Sequence, residues 1–196
     1  ERMELFNAWG EVARENGVQF IAHIGHNNLP DARVLATAAR EAGANAISAM
    51  APNFFKPADA VALLDWFQRI LEPAEGLPFY FYDIPGFTGV TIDTAEFVQR
   101  AAAELPGFVG VKYTNPDCEQ LARILAMDEA PDMLWGCDEK MIDGWELGCR
   151  GAIGSSYNFA AAIYHRVMEA HAAGDMDAAR KWQARSWKMI EAIAAH

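Results

Sequence analysis

Lys112 lies near the end of the run Phe108-Val109-Gly110-Val111-Lys112-Tyr113-Thr114, whose other members are mostly small or apolar. If the run is a strand, its side chains alternate between two faces, and Lys112 shares a face with Phe108 and Gly110. That puts the amine at the carboxyl end of the strand, where barrel enzymes keep their chemistry. One reading is a rim lysine extending into water. The other is an amine held out of water, which gives up its proton more readily and can attack a ketone to form a Schiff base, with Gly110 leaving room beneath it.

A second run, Leu77-Pro78-Phe79-Tyr80-Phe81-Tyr82-Asp83-Ile84-Pro85, ends in a phenol and a carboxylate ahead of a stiffening proline. Regular pleating sends Tyr82 and Asp83 to opposite faces, so only one of them can enter a pocket. Tyr82 is either packing or, beside a Schiff-base lysine, a proton shuttle for a substrate hydroxyl, which suits carbon–carbon cleavage beta to an imine. Asp83 competes for that role.

Asp138-Glu139 follows the run Met133 to Gly136 at a helix start. Two carboxylates there either complement the positive helix end or accept hydrogen bonds from a polyhydroxyl ligand. Gly154-Ser155-Ser156-Tyr157-Asn158 brings hydroxyls and backbone amides to another helix start, able to hold a carboxylate or hydroxyls. His23, His26 and Asn27-Asn28 invite a metal reading, but no third histidine is near in sequence, and pocket lining or loop hydrogen bonding is preferred. Cys118, Cys137 and Cys149 form no CxxC pair and read as reduced structural thiols.

These residues need elements to carry them. Six short apolar runs read as strands: Val18 to His23, Ala46 to Ala51, Phe79 to Asp83, Val109 to Tyr113, Met133 to Gly136 and Gly151 to Gly154. Between and around them, apolar residues three and four apart predict helices. The first puts Leu5, Trp9 and Val12 on one face; the others cover Ala32 to Ala42, Pro57 to Leu71, Thr94 to Glu104, Cys118 to Met127 and Glu139 to Gly148. Asp93 with Glu96 makes a capping box, Pro57 and Pro116 suit first turns, and Gly17 and Gly43 mark helix ends. Residues 159–196 add two long helices joined at Gly174-Asp175, with no further strand.

This cadence predicts one α/β domain over residues 1–196, an open doubly wound sheet or a closed barrel. The phosphate-binding glycine fingerprints are absent, since Gly151-Ala152-Ile153-Gly154 has the wrong spacing for a dinucleotide site. A complete (β/α)8 barrel has eight strands, so six imply a partial one, with two strands expected before Glu1. With 52% hydrophobic and 22% charged residues the chain can build a core. Its formal charge of -11 disfavours nucleic acid as a partner. No run has a membrane span's length and the start lacks the pattern of a signal peptide, which makes the cytoplasm the expected location.

Taken in order, four motifs resemble those of the pyruvate-dependent family that includes dihydrodipicolinate synthase and N-acetylneuraminate lyase. They are Tyr82-Asp83-Ile84-Pro85, Gly110-Val111-Lys112-Tyr113-Thr114, Gly136-Cys137-Asp138-Glu139 and Gly151-Ala152-Ile153-Gly154-Ser155-Ser156-Tyr157-Asn158. The resemblance extends over nearly the whole chain and implies a (β/α)8 TIM barrel, of which this chain covers about the last six strands plus C-terminal helices. It implies Lys112 as the Schiff-base nucleophile and Tyr82, rather than Asp83, as the proton shuttle. It also implies substrate contacts from Thr114, Gly136, Asp138, Glu139 and Ser155.

The implied reaction is cleavage of N-acetylneuraminate to N-acetylmannosamine and pyruvate by a homotetramer without metal or organic cofactor. Alternatives are another lyase or synthase of the family, a metal-dependent barrel enzyme, or a non-catalytic barrel-derived protein. Two departures stand out. Asp83 replaces the usual Asn or His, and Phe54-Phe55 replace the tyrosines of the synthases, which disfavours the dihydrodipicolinate reaction.

Overall fold

In a computed structural model describing residues 1–195, six short strands alternate with helices: β1 (Ile21–His23), β2 (Ala46–Met50), β3 (Phe79–Asp83), β4 (Phe108–Tyr113), β5 (Asp132–Trp135) and β6 (Gly151–Ala152). Strand order follows chain order, and β1–β2, β2–β3 and β5–β6 pair in parallel. Parallel neighbours require a crossover, which the intervening helices supply. The chain forms two compact units, Glu1–Val111 and the remainder from Lys112 onward.

The first unit contains α1 (Arg2–Asn16), α2 (Leu29–Glu41), α3 (Ala60–Leu71), α4 (Pro85–Thr88) and α5 (Thr94–Glu104). Its core is aromatic. Phe67 of α3 lies 4.9 and 5.4 Å from Phe79 and Phe81 of β3, centroid to centroid, and Phe97 of α5 closes on Phe81 at 4.8 Å. One face of β3 is therefore sealed by helices, because alternate residues of a strand point the same way.

Helix ends follow local chemistry. Asp59 and Asp93 cap α3 and α5 through their carboxylates, and Asn28 caps α2 through its amide oxygen. Gly17 and Gly43 adopt the left-handed conformation at φ 64° and 79°, as helix-ending glycines do.

Several expectations need correction. The buried face of α1 carries Phe6, Gly10 and Ala13, whereas Leu5, Trp9 and Val12 are exposed. The cause is close approach: a Cβ at Gly10 would lie 2.0 Å from the Ala42 carbonyl oxygen, so α1 meets the end of α2 through its smallest residues. Pro57 precedes the first helical residue of α3 by three positions, with Asp59 as the cap between them. Pro116 likewise lies upstream of Asp117, the cap of the next helix. Asp93 accepts from the amides of Ala95 and Glu96, and Glu96 also pairs with Arg100.

The second unit contains α6 (Cys118–Leu125), α7 (Met141–Leu147), α8 (Tyr157–Ala172) and α9 (Met176–Ala194). Its core joins Met141, Ile142, Tyr164, Val167 and Ala179, with Trp145, Met168 and Trp182 packed around them. Tyr113 stacks on Trp135 at 6.4 Å, and Trp135 leaves no room for a Cβ at Gly144, which would fall 2.5 Å from the indole. Small residues thus let α7 approach β5.

Candidate active site

In the first unit, the register of β1, β2 and β3 aligns His23 with Ser48 and Met50 with Tyr82. Phe79, Phe81 and Asp83 occupy the helix-covered face of β3, so Tyr82 lies on the opposite one. Asp83 is buried and its Oδ2 accepts a hydrogen bond of 2.8 Å from the Thr94 hydroxyl at the start of α5. Alternation alone left Tyr82 and Asp83 as competitors; the aromatic core places Asp83 behind the strand.

The ring of His23 stands edge-on to Tyr82 with centroids 6.0 Å apart, and its Nδ1 is 3.2 Å from the Ser48 hydroxyl. Arg2 donates to the carbonyls of His23 and Gly25, fixing the end of β1. The residues first considered for a metal therefore divide. His23 joins the Tyr82 face, while His26 and Asn27 accept from loop amides and Asn28 from the Asp31 amide in the first turn of α2. Among the described residues, no three His, Cys, Asp or Glu side chains gather as metal ligands.

In the second unit, Tyr113 is fully buried and donates through its hydroxyl to the Asp117 carbonyl at 2.7 Å. Its neighbours Lys112 and Thr114 are half-buried. They are two residues apart, on the opposite face of the pleat. The Thr114 hydroxyl oxygen is buried and has no hydrogen-bond partner among the described residues. Gly136, which follows β5, makes room for it: a Cβ there would come within 1.9 Å of that oxygen.

Asp138 sits in a short 3-10 turn (Asp138–Lys140) leading into α7, and is buried. Its Oδ2 accepts from the Ser156 amide at 2.8 Å and from the Ser156 hydroxyl at 2.5 Å. A Cβ at Gly154 would fall 1.5 Å from its Oδ1, so only glycine fits after β6 while the carboxylate stays there. Glu139 is half-buried and Ser155 exposed, one residue to either side of this contact. The structure thus joins Thr114 with Gly136, and Asp138 with the turn that carries Ser155. Sequence reasoning missed His23 as a neighbour of Tyr82, Ser156 as the partner of Asp138, and Tyr164 as the partner of Ser156.

Burial dominates the shifts of the thiols and phenols in the second unit. It pushes the thiols of Cys137 and Cys149 up to about 11 and also raises Cys118. Tyr157 and Tyr164 are raised for the same reason, and the neighbouring Asp138 carboxylate adds to the effect at both.

The succession of strand and helix is that of the last six units of a (β/α)8 barrel with its C-terminal helices. The chain belongs to the dihydrodipicolinate synthetase family, whose model matches residues 1–196. It is 34% identical over 185 residues to an N-acetylneuraminate lyase of Danio rerio, which covers 93% of this chain and 60% of that protein. The structure of Proteus mirabilis N-acetylneuraminate lyase superposes with a TM-score of 0.93 at 27% identity, covering 99% of this chain and 65% of that one. A Ruminococcus gnavus sialic acid aldolase, described as a catalytic lysine mutant, superposes with a TM-score of 0.78 at 28% identity over 90% of this chain and 57% of its own. The chain therefore spans roughly three fifths of these relatives.

Proposed function

We propose that the protein is a Schiff-base aldolase that cleaves N-acetylneuraminate to N-acetylmannosamine and pyruvate. The Lys112 amine adds to the C2 ketone and water leaves, giving an iminium. Tyr82 takes the proton of the C4 hydroxyl as the C3–C4 bond breaks, and the bonding pair is drawn toward the cationic nitrogen to form an enamine. N-acetylmannosamine departs, C3 is protonated, and water hydrolyses the imine to release pyruvate and the lysine.

The observation that carries this reading is the buried Thr114 hydroxyl, which has no hydrogen-bond partner among the described residues and lies two residues after Lys112. A buried polar oxygen left unpaired costs about 1–3 kcal/mol, so a substrate group is its natural partner. Gly136, Asp138, Glu139 and Ser155 contribute further contacts along the sugar, with the Asp138 carboxylate oriented by the Ser156 amide and hydroxyl. The names of the lyase relatives and the lysine noted in the Ruminococcus gnavus aldolase support the assignment. The absence of tyrosine at Phe54 and Phe55 speaks for a lyase over a dihydrodipicolinate synthase. Family resemblance further suggests a homotetramer, which sedimentation of the intact protein tests.

The decisive experiment treats the protein with pyruvate and borohydride and maps the mass increase. Reductive trapping on Lys112, abolished in Lys112→Ala, is expected; no adduct, or one on another lysine, rejects the mechanism. Tyr82→Phe should retain trapping and lower cleavage by about 100-fold or more, the range for loss of a positioned proton carrier. Comparing N-acetylneuraminate with other aldol products of pyruvate separates the lyase from a relative using a different aldehyde.

A further inference from the structure

We infer that Tyr164, Ser156 and Gln183 are positioning residues that lock Asp138 between the loop after β5 and the turn after β6, and so aim Glu139 and Ser155 at the polyhydroxyl arm of the substrate. This rests on the reading of the site as one for a sugar keto acid.

Ser156 has one hydroxyl proton, and a carboxylate can only accept, so that proton goes to Asp138 Oδ2. The Tyr164 hydroxyl, 2.5 Å from the Ser156 oxygen, must then donate to it. The chain of donors runs Tyr164 to Ser156 to Asp138, and all three residues are at most 7% exposed. In such low-dielectric surroundings each bond polarises the next.

The main chain of Asp138 is held from the other side. Gln183 of α9 donates from Nε2 to the Asp138 carbonyl at 3.1 Å and to the Ser186 hydroxyl at 2.7 Å, while its Oε1 accepts from the Ile142 amide at 3.2 Å. Ser186, fully buried, passes its own proton to the Gln183 carbonyl at 2.8 Å. Two helices far along the chain thus fix the carboxylate and the backbone of one loop residue. Gly154 lies against the remaining carboxylate oxygen, so Asp138 cannot turn without moving the Gly154–Ser156 turn. Glu139 and Ser155 are each bonded directly to a member of this lock, and any slackening reaches them first.

The test uses Tyr164→Phe, Ser156→Ala and Ser156→Thr in the intact protein. KM and kcat are measured for N-acetylneuraminate and for a short 4-hydroxy-2-oxo acid without a polyol arm, together with pyruvate trapping and hydrogen exchange of the Ser156 amide. Tyr164→Phe and Ser156→Ala should raise KM for the long substrate by about tenfold, leave kinetics on the short acid within about twofold, and speed exchange of the Ser156 amide. Ser156→Thr, which keeps the hydroxyl, should restore the long-substrate KM.

Equal KM increases for both substrates, or no change in either KM or exchange, overturn the proposal. If Ser156→Ala fails to fold, Tyr164→Phe, which removes a single oxygen, decides the matter. Absence of pyruvate trapping in the unaltered protein rejects the aldolase reading instead. The exchange measurement still decides whether the lock exists.

Discussion

Asp83 and Tyr82 are neighbours with opposite surroundings, which shows how far a single side chain's chemistry depends on which face of a strand it takes. The same holds for the thiols. Cys137 and Cys149 are shifted up to about 11 because their anions would lose hydration inside the second unit. A thiol whose folded value is raised adds stability that is fully present below the unfolded value, near 9, and is lost as pH climbs toward 11. The melting temperature should fall between pH 9 and 11, and Cys137→Ala/Cys149→Ala should show a smaller fall over that interval. An identical fall would show that other groups set the alkaline limit. Lys112 and Tyr82 stand out as candidates in the sequence because each ends a short apolar run. The Asp138–Ser156–Tyr164 lock could not, since its members are 18 and 8 residues apart and nothing in periodicity pairs them.

Among the elements, β3 shows most directly why sequence period and structure agree. Phe79 and Phe81 alternate with Tyr80 and Tyr82, and the phenylalanine face is the one that Phe67 and Phe97 cover. Phe67, fully buried, touches both strand phenylalanines and Phe97. Phe67→Ala should therefore destabilise the protein by about 3–5 kcal/mol, measured by urea unfolding, the range for removing a core aromatic. A loss under 1 kcal/mol would mean that the cluster collapses into the cavity. Helix α1 shows where periodicity misleads. Leu5, Trp9 and Val12 form the larger apolar stripe, but Gly10 permits a backbone approach that no hydrophobicity pattern records. Strand lengths were overestimated at Val18 to His23 because Phe20 gives its amide to the Asn45 side chain instead of a ladder. They were overestimated again at Gly151 to Gly154, where the chain turns against Asp138.

For the molecule as a whole, the excess of 27 acidic over 16 basic residues sets a field that an anionic keto acid must cross. Raising ionic strength from about 10 mM to about 150 mM shortens the Debye length from about 30 to about 8 Å. On the proposed function, kcat/KM should then rise by about twofold. A fall would reveal a locally positive entrance despite the net charge. No helix of the described residues is long and apolar enough to cross a membrane.

Gln183 and Ser186 lie on α9, more than forty residues beyond the loop that they steady. During synthesis, a nascent chain can form β5, β6 and the intervening loop while α9 is still inside the ribosome. Asp138 then has its Ser156 partner but lacks the amide that caps its carbonyl. On the proposed function, the loop that carries Glu139 is therefore fastened only once α9 has emerged, and a product terminated before α9 would carry Glu139 beside an Asp138 whose carbonyl lacks its Gln183 partner.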